Sequence, residues 1–136
     1  FLKPNGLELG QLTGHDGPSI ERQAENGDLS AAKDAALALH GRGVAEVLVT
    51  LGGAGGLLVT GEGAWYSPSP KVDVVSTVGA GDSATAGYLI AREAGLDAPA
   101  RLAYAVAYGA AAVSLPGTTI PTPQQVSPNF EAVEEI

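Results

Sequence analysis

The sequence of 136 residues predicts an α/β protein, part of a doubly wound, mainly parallel sheet with helices on both faces. Three observations predict it. Glu46 to Leu51 reads Glu-Val-Leu-Val-Thr-Leu, β-branched and almost continuously apolar, as a strand covered on both faces requires. Strand-like runs of this kind alternate with helix-like runs, the order that builds layered α/β folds. The 19 glycines and nine prolines lie between apolar runs and not in one tract, so they punctuate turns and do not signal disorder.

The opening Phe1-Leu-Lys-Pro-Asn5 reads as the end of a strand running into a loop, and with no methionine present the chain reads as a fragment. Asn5 to Leu12 is a short helix stopped by Thr13-Gly14. Gly14 to Gly27 is polar, holds Gly17-Pro18 and Asn26-Gly27, and reads as a loop with at most one helical turn. Ser30 can cap a helix running through Ala31, Ala35, Leu37 and Leu39 to Gly41 and Gly43. After the strand at Glu46 to Leu51 comes a glycine-rich break at Gly52 to Gly56. Leu57 to Thr60 and Ala64 to Tyr66 then form a hairpin around Gly61-Glu62-Gly63. Val72 to Val75 reads as a further apolar strand. Ser83 to Ala94 is a helix whose Gly87 allows close packing. A second helix runs from Ala100 to Val113 with Pro99 in its first turn. Pro123 begins a short helical stretch at Gln124 to Val126, and the acidic tail, Glu131 to Ile136, reads as a closing turn.

Seven Lys plus Arg against 15 Asp plus Glu give a net charge of −8, which repels phosphate backbones and argues against nucleic-acid binding. An anionic ligand must therefore be held locally. The absence of cysteine excludes disulfides and a thiolate nucleophile, and the two isolated histidines, His15 and His40, make no ordinary zinc site. With no charged-then-apolar leader and no apolar run of about 18 residues, the reading is a cytoplasmic protein that does not enter a membrane.

The chemistry is concentrated in Val74-Val-Ser-Thr-Val-Gly-Ala-Gly-Asp-Ser83. A strand enters a Gly-Ala-Gly turn and leaves as a helix, so backbone N–H groups converge at a helix N-terminus where the dipole favours negative charge. Asp82 follows in the first helical turn. By position alone it is as readily a helix cap as a base. Beside an anion cradle, however, a carboxylate can take the proton of an acceptor hydroxyl while the turn holds charge on a transferring phosphoryl group.

Ser76-Thr-Val-Gly-Ala-Gly-Asp-Ser83 resembles the C-terminal signature of the ribokinase-like, or PfkB, family of carbohydrate kinases, in the form of its 1-phosphofructokinase and tagatose-6-phosphate kinase branch. The resemblance implies that Asp82 is the catalytic base and that the backbone of Gly79, Ala80 and Gly81 forms the anion hole. Lys3-Pro-Asn-Gly-Leu-Glu8 resembles the family's Lys-Pro-Asn-x-x-Glu element, in which Asn5 and Glu8 would organise magnesium (Mg2+), water and the nucleotide phosphates beside Lys3. As an isolated pair, Asn5 and Glu8 read as a helix start. Thr50-Leu51-Gly52-Gly53-Ala54-Gly55 resembles the family's nucleotide loop, its glycines admitting phosphate or ribose and Thr50 donating to a phosphate oxygen. Tyr104 to Val113, followed by Pro116-Gly117-Thr118, resembles the segment lining the adenine pocket, although small residues there suit helix packing equally well.

The resemblance covers essentially the whole chain and corresponds to the C-terminal portion of the family pattern. It implies an ATP-dependent transfer to a sugar-phosphate hydroxyl, with fructose 1-phosphate the acceptor that the branch suggests. It also implies an N-terminal sugar-binding half and lid outside residues 1–136, and an intact protein that is a homodimer. Many relatives carry Asp-Thr and a monovalent cation where this chain has Ser76-Thr77, so potassium (K+) activation is in doubt. A nucleotide-binding or regulatory module without kinase activity is the alternative. A dinucleotide-binding dehydrogenase fits poorly, because no Gly-x-Gly-x-x-Gly follows the opening strand.

Overall fold

A computed structural model describes residues 1–117 and 121–136; Thr118, which ends the segment that resembles an adenine-pocket lining, lies outside the described residues. The helices are α1 (Gly6–Thr13), α2 (Gly17–Glu25), α3 (Ser30–Gly41), α4 (Ala80–Glu93) and α5 (Ala98–Val113). The strands are β1 (Glu46–Thr50), β2 (Gly56–Thr60), β3 (Gly63–Ser67) and the short β4 (Glu134–Glu135). Single 3-10 turns occupy Gly52–Ala54, Pro123–Gln125 and Phe130–Ala132.

Side chains alternate across the sheet, and this builds two cores. Val47, Val49, Leu57, Val59 and Ala64 face one way and pack with Leu9, Ile20, Ala35 and Leu39 of α1, α2 and α3. Leu48, Leu58 and Trp65 face the other way, onto Ala84, Tyr88, Leu102 and Ala105 of α4 and α5. Helices therefore cover both faces, as expected, and β1 is buried from Val47 to Val49.

Strand direction departs from the expected mainly parallel pattern. β1, β2, β3 and β4 are neighbours in that order, and each successive pair is antiparallel. Among the described residues, parallel pairing occurs in the opening segment beside β1, at Leu2 with Val47 and Asn5 with Thr50. For β1, β2 and β3 the connections explain the difference: short turns join only antiparallel neighbours, whereas a parallel neighbour needs a long crossover; β4 reaches β3 through residues 68–133, a connection long enough for either direction. Within this chain the crossover is the α1 to α3 run, and it joins the opening segment to β1.

Three local expectations are corrected. Gly14 to Gly27 is not mainly loop, because Asp16 Oδ1 accepts the Ser19 N–H at 3.2 Å, Pro18 stands in the first turn, and Ile20 and Ala24 bury one face of α2. Ser30 is not the cap of α3: its own N–H donates to Asp28 Oδ1 at 3.0 Å, and the N-cap residue is Leu29. Val72 to Val75 forms no strand, with Val74 and Val75 67% and 61% exposed. A strand needs a ladder, and here the Val75 and Ser76 amides both donate to the Val113 carbonyl at the end of α5, at 2.7 and 3.1 Å.

Gly87 permits the close α4–α5 crossing. A Cβ there would stand 2.6 Å from Tyr108 Cδ1 and 2.7 Å from the Tyr104 carbonyl. Nearby, Glu46 ties β1 to both helices. Its Oε1 accepts from the Tyr88 hydroxyl at 2.7 Å and from Arg101 Nη1 at 2.9 Å, and Oε2 lies 3.3 Å from Arg92 Nη1. Burial, and then the hydrogen bond to Glu46, push the Tyr88 hydroxyl up to about 12 from 10.0.

This shift has a stability consequence. Below pH 10 the stabilisation is fully present; between about pH 10 and 12 the unfolded chain loses the proton while the folded chain keeps it, so stability falls as pH rises, by up to about 1.4 kcal/mol per pH unit. Urea unfolding at pH 9 and pH 11 is expected to show this loss in the wild type. Tyr88→Phe is expected to show a smaller loss over the same interval, even though it lowers stability at pH 7 by roughly 1 kcal/mol through the missing hydrogen bond.

Candidate functional site

A cavity of about 760 Å³ opens at the C-terminal ends of the Leu2–Asn5 segment and β1, a size in the range of small-molecule sites. Its polar wall carries Lys3, Asn5, Thr50, Gly52 and Gly53, and its floor carries Ala80 and Gly81 from the start of α4. Ala105, Val106, Gly109, Ala110 and Val113 of α5 form the apolar wall. Three segments far apart in sequence meet here, as the motif reading required.

Gly79 is the N-cap of α4, with φ 82°, a left-handed conformation that favours glycine. No side chain caps this helix end. The early N–H groups of a helix lack intrahelical partners, so those of Gly81 and Asp82 are presented outward. Lys3 Nζ lies 3.0 Å from the point where a Cβ on Gly81 would stand. An ammonium thus sits against the positive end of a helix dipole. Among the described residues Lys3 joins no salt bridge; the ion pairs present are those of Glu46 with Arg92 and Arg101. Two positive features turned toward one space, with room kept by the missing Cβ of Gly81, are complementary to an anion such as a phosphate.

The second glycine turn is shaped from outside. Leu51 N–H donates to the Gly55 carbonyl at 2.9 Å, Gly52 and Gly55 take φ of 57° and 104°, and the Tyr66 hydroxyl donates to the Ala54 carbonyl. Gly52 and Gly53 have no atom within 4 Å of an added Cβ, so their backbone is open toward the cavity. Leu51 is buried beneath, and neither it nor Ala54 lines the cavity.

Asn5 and Glu8 form a capping box: Glu8 N–H donates to Asn5 Oδ1 at 2.8 Å and Asn5 N–H donates to Glu8 Oε1 at 2.9 Å. The helix-start reading of this pair is therefore realised. Asn5 also lines the cavity; Glu8 is exposed and does not. Asp82 is exposed on the first turn of α4, outside the cavity lining. It is not the N-cap, and its carboxylate accepts no hydrogen bond among the described residues. The cap reading of Asp82 is not realised.

His15 Nδ1 lies 2.8 Å from Thr13 Oγ1 and His40 Nδ1 lies 2.8 Å from the Val44 carbonyl, both local contacts away from the cavity. Among the described residues no three acidic or histidine side chains cluster as a metal site, and no helix is long and apolar enough to cross a membrane. The motif reading missed Glu21, Ser69 and Lys71, which also line the cavity. For Glu21 the available signal was the Asp16-Gly17-Pro18 helix start, which would have placed it on a helix face.

Helices on both faces of one sheet, with a glycine-rich helix start at the mouth of a cavity, make this an α/β protein built to hold an anionic ligand. The chain belongs to the pfkB family of carbohydrate kinases, whose pattern matches residues 1–125, beginning at the chain's N-terminus and stopping short of the acidic tail. It is 39% identical over 132 residues to 1-phosphofructokinase of Haloferax volcanii, covering 97% of this chain and 40% of that protein. It is 40% identical over 122 residues to 1-phosphofructokinase of Escherichia coli K12, covering 88% and 36%. Among solved structures, phosphofructokinase-2 of Escherichia coli in complex with potassium superposes with a TM-score of 0.78 at 28% identity, covering 91% of this chain and 38% of that one. Ribokinase of Thermotoga maritima gives 0.74 at 27% identity, covering 96% and 40%. The chain spans about two fifths of the length of the curated relatives it matches.

Proposed function

We propose that residues 1–136 are the C-terminal, nucleotide-binding and catalytic portion of an ATP-dependent sugar-phosphate kinase, a 1-phosphofructokinase that converts fructose 1-phosphate to fructose 1,6-bisphosphate in the cytoplasm. The observation that carries the reading is the Lys3 ammonium at the uncapped start of α4, inside a cavity that also holds Thr50 and the open Gly52-Gly53 backbone. Lys3, Thr50 and the Gly79-Ala80-Gly81 backbone hold the nucleotide phosphates. The α5 wall from Ala105 to Val113 takes the flat base. Asp82 accepts the proton of the acceptor hydroxyl, whose oxygen bonds to the γ-phosphorus as the bond to ADP breaks.

The donor set fits magnesium bound as the nucleotide complex: one amide oxygen at Asn5 with few carboxylates suits an ion that keeps water and phosphate oxygens as most of its ligands. That ion supplies charge neutralisation of the phosphates. For potassium, the named support is the complex of phosphofructokinase-2 alone. The homodimer expected of the intact protein is checked by its mass in solution.

Gly81→Val tests the phosphate cradle. Its branched side chain would occupy the space beside Lys3 Nζ, so ATP affinity measured by calorimetry is expected to fall roughly 10- to 100-fold with an unchanged melting curve. Unaltered affinity in a folded variant would remove the cradle from the proposal. A second reading, nucleotide binding without turnover by residues 1–136 alone, is favoured by one observation: the cavity is built wholly within the chain, whereas Asp82 stands exposed outside its lining. ATP binding without phosphoryl transfer to fructose 1-phosphate would support it.

A further inference from the structure

Among the described residues one acidic side chain lines the cavity, and it is neither Asp82 nor Glu8 but Glu21 of α2. Glu21 is half-buried and lies across the first turn of α1, where a Cβ on Gly6 would run into its side chain. Its carboxylate takes part in no salt bridge and no side-chain hydrogen bond among the described residues. A carboxylate left free in a cavity otherwise shaped for an anion needs a reason.

Lys3 and the start of α4 attract phosphate oxygens, and Glu21 repels them. The conflict disappears when a cation lies between Glu21 and the phosphates. Asn5, in the same lining, has an amide oxygen that accepts one bond from Glu8 N–H and keeps a second lone pair. A carboxylate and an amide oxygen together are hard donors of the kind magnesium takes, directly or through its water. Glu8 is exposed, outside the lining, and its Oε1 is engaged by the Asn5 N–H.

We infer that Glu21 is a metal-facing carboxylate of the nucleotide site, supplied by α2. The inference rests on the proposed nucleotide site and adds a residue to it. Calorimetric affinities for ATP with magnesium and for ATP with EDTA, in wild type, Glu21→Gln, Glu21→Asp, Glu21→Ala and Glu8→Gln, test it, with melting curves on each variant. In the wild type, magnesium is expected to strengthen ATP binding. Glu21→Gln is expected to weaken binding of the magnesium complex about 10-fold or more and to leave metal-free ATP unchanged or tighter, since a negative charge is gone. Glu21→Asp, which keeps the charge, is expected to retain a magnesium effect, and Glu21→Ala, which removes the carboxylate with less change in hydrogen bonding, is expected to lose it and so carries the test should Glu21→Gln fold poorly. Equal loss with and without magnesium, or no loss in either, overturns the inference while the nucleotide site stands. So does loss of the magnesium effect in Glu8→Gln alone. No ATP binding by the wild type overturns both.

Discussion

Replacing Asp82 by Asn is expected to lower turnover of fructose 1-phosphate roughly 10²- to 10⁴-fold in a complete kinase carrying this chain, while ATP affinity changes little. The separation follows from where Asp82 stands. It lies on the first turn of α4, next to the Gly79-Ala80-Gly81 cradle, yet outside the lining of the cavity and exposed. Asn has the same shape and cannot take a proton. The carboxylate caps nothing in the fold, so the melting curve of Asp82→Asn is expected to match the wild type. A fall in kcat with an unchanged melting curve and unchanged ATP affinity would isolate the proton transfer. Ordinary turnover in the variant would show that another group is the base.

Gly55→Ala is expected to give the largest loss of stability from one methyl group. Gly55 has φ 104°, where an L side chain is strained, and a Cβ there would run into the Ser67 carbonyl oxygen and the Pro68 backbone. Those atoms belong to the end of β3 and cannot swing aside as a side-chain tip can. Conformational strain and overpacking together cost about 3 kcal/mol or more, a large part of the stability of a small domain. A fall of about 10 °C or more in melting temperature is expected, with loss of ATP binding because Gly55 also lines the cavity. Gly53→Ala is the control: it has no positive φ and no atom within 4 Å of an added Cβ, so its melting temperature should stay close to the wild type. Equal melting of Gly55→Ala and Gly53→Ala would contradict the strain argument.

Much of the fold was legible because the signals are local. Glycine and proline at fixed places bounded α1, α4 and α5, and alternation marked the hairpin of β2 and β3. The misreadings share a cause. At Gly14 to Gly27, Gly17-Pro18 reads as a turn, although Asp16 ahead of it and Ile20 and Ala24 behind it make a helix start. At Val72 to Val75, apolar β-branched residues carried the strand reading, but ladder partners decide a strand, and these amides find the end of α5. Among β1, β2 and β3 the antiparallel direction follows from the short turns that join them, a signal the mainly parallel reading does not use, whereas β4 pairs with β3 across residues 68–133.

At the site, the chemical parts are readable from neighbouring residues alone: the Gly79-Ala80-Gly81 turn before Asp82, the Lys3-to-Glu8 element and the Thr50-to-Gly55 loop. Local steric and hydrogen-bonding rules act within a few residues, so such turns and caps are written in the neighbouring residues. It takes the packed molecule to bring Lys3 Nζ beside Gly81, to set Glu21 in the cavity lining with Glu8 outside it, and to join Glu46 to Tyr88 and Arg101. Those contacts depend on how helices pack on both faces of one sheet, and that packing is fixed by buried surfaces distributed over the whole chain.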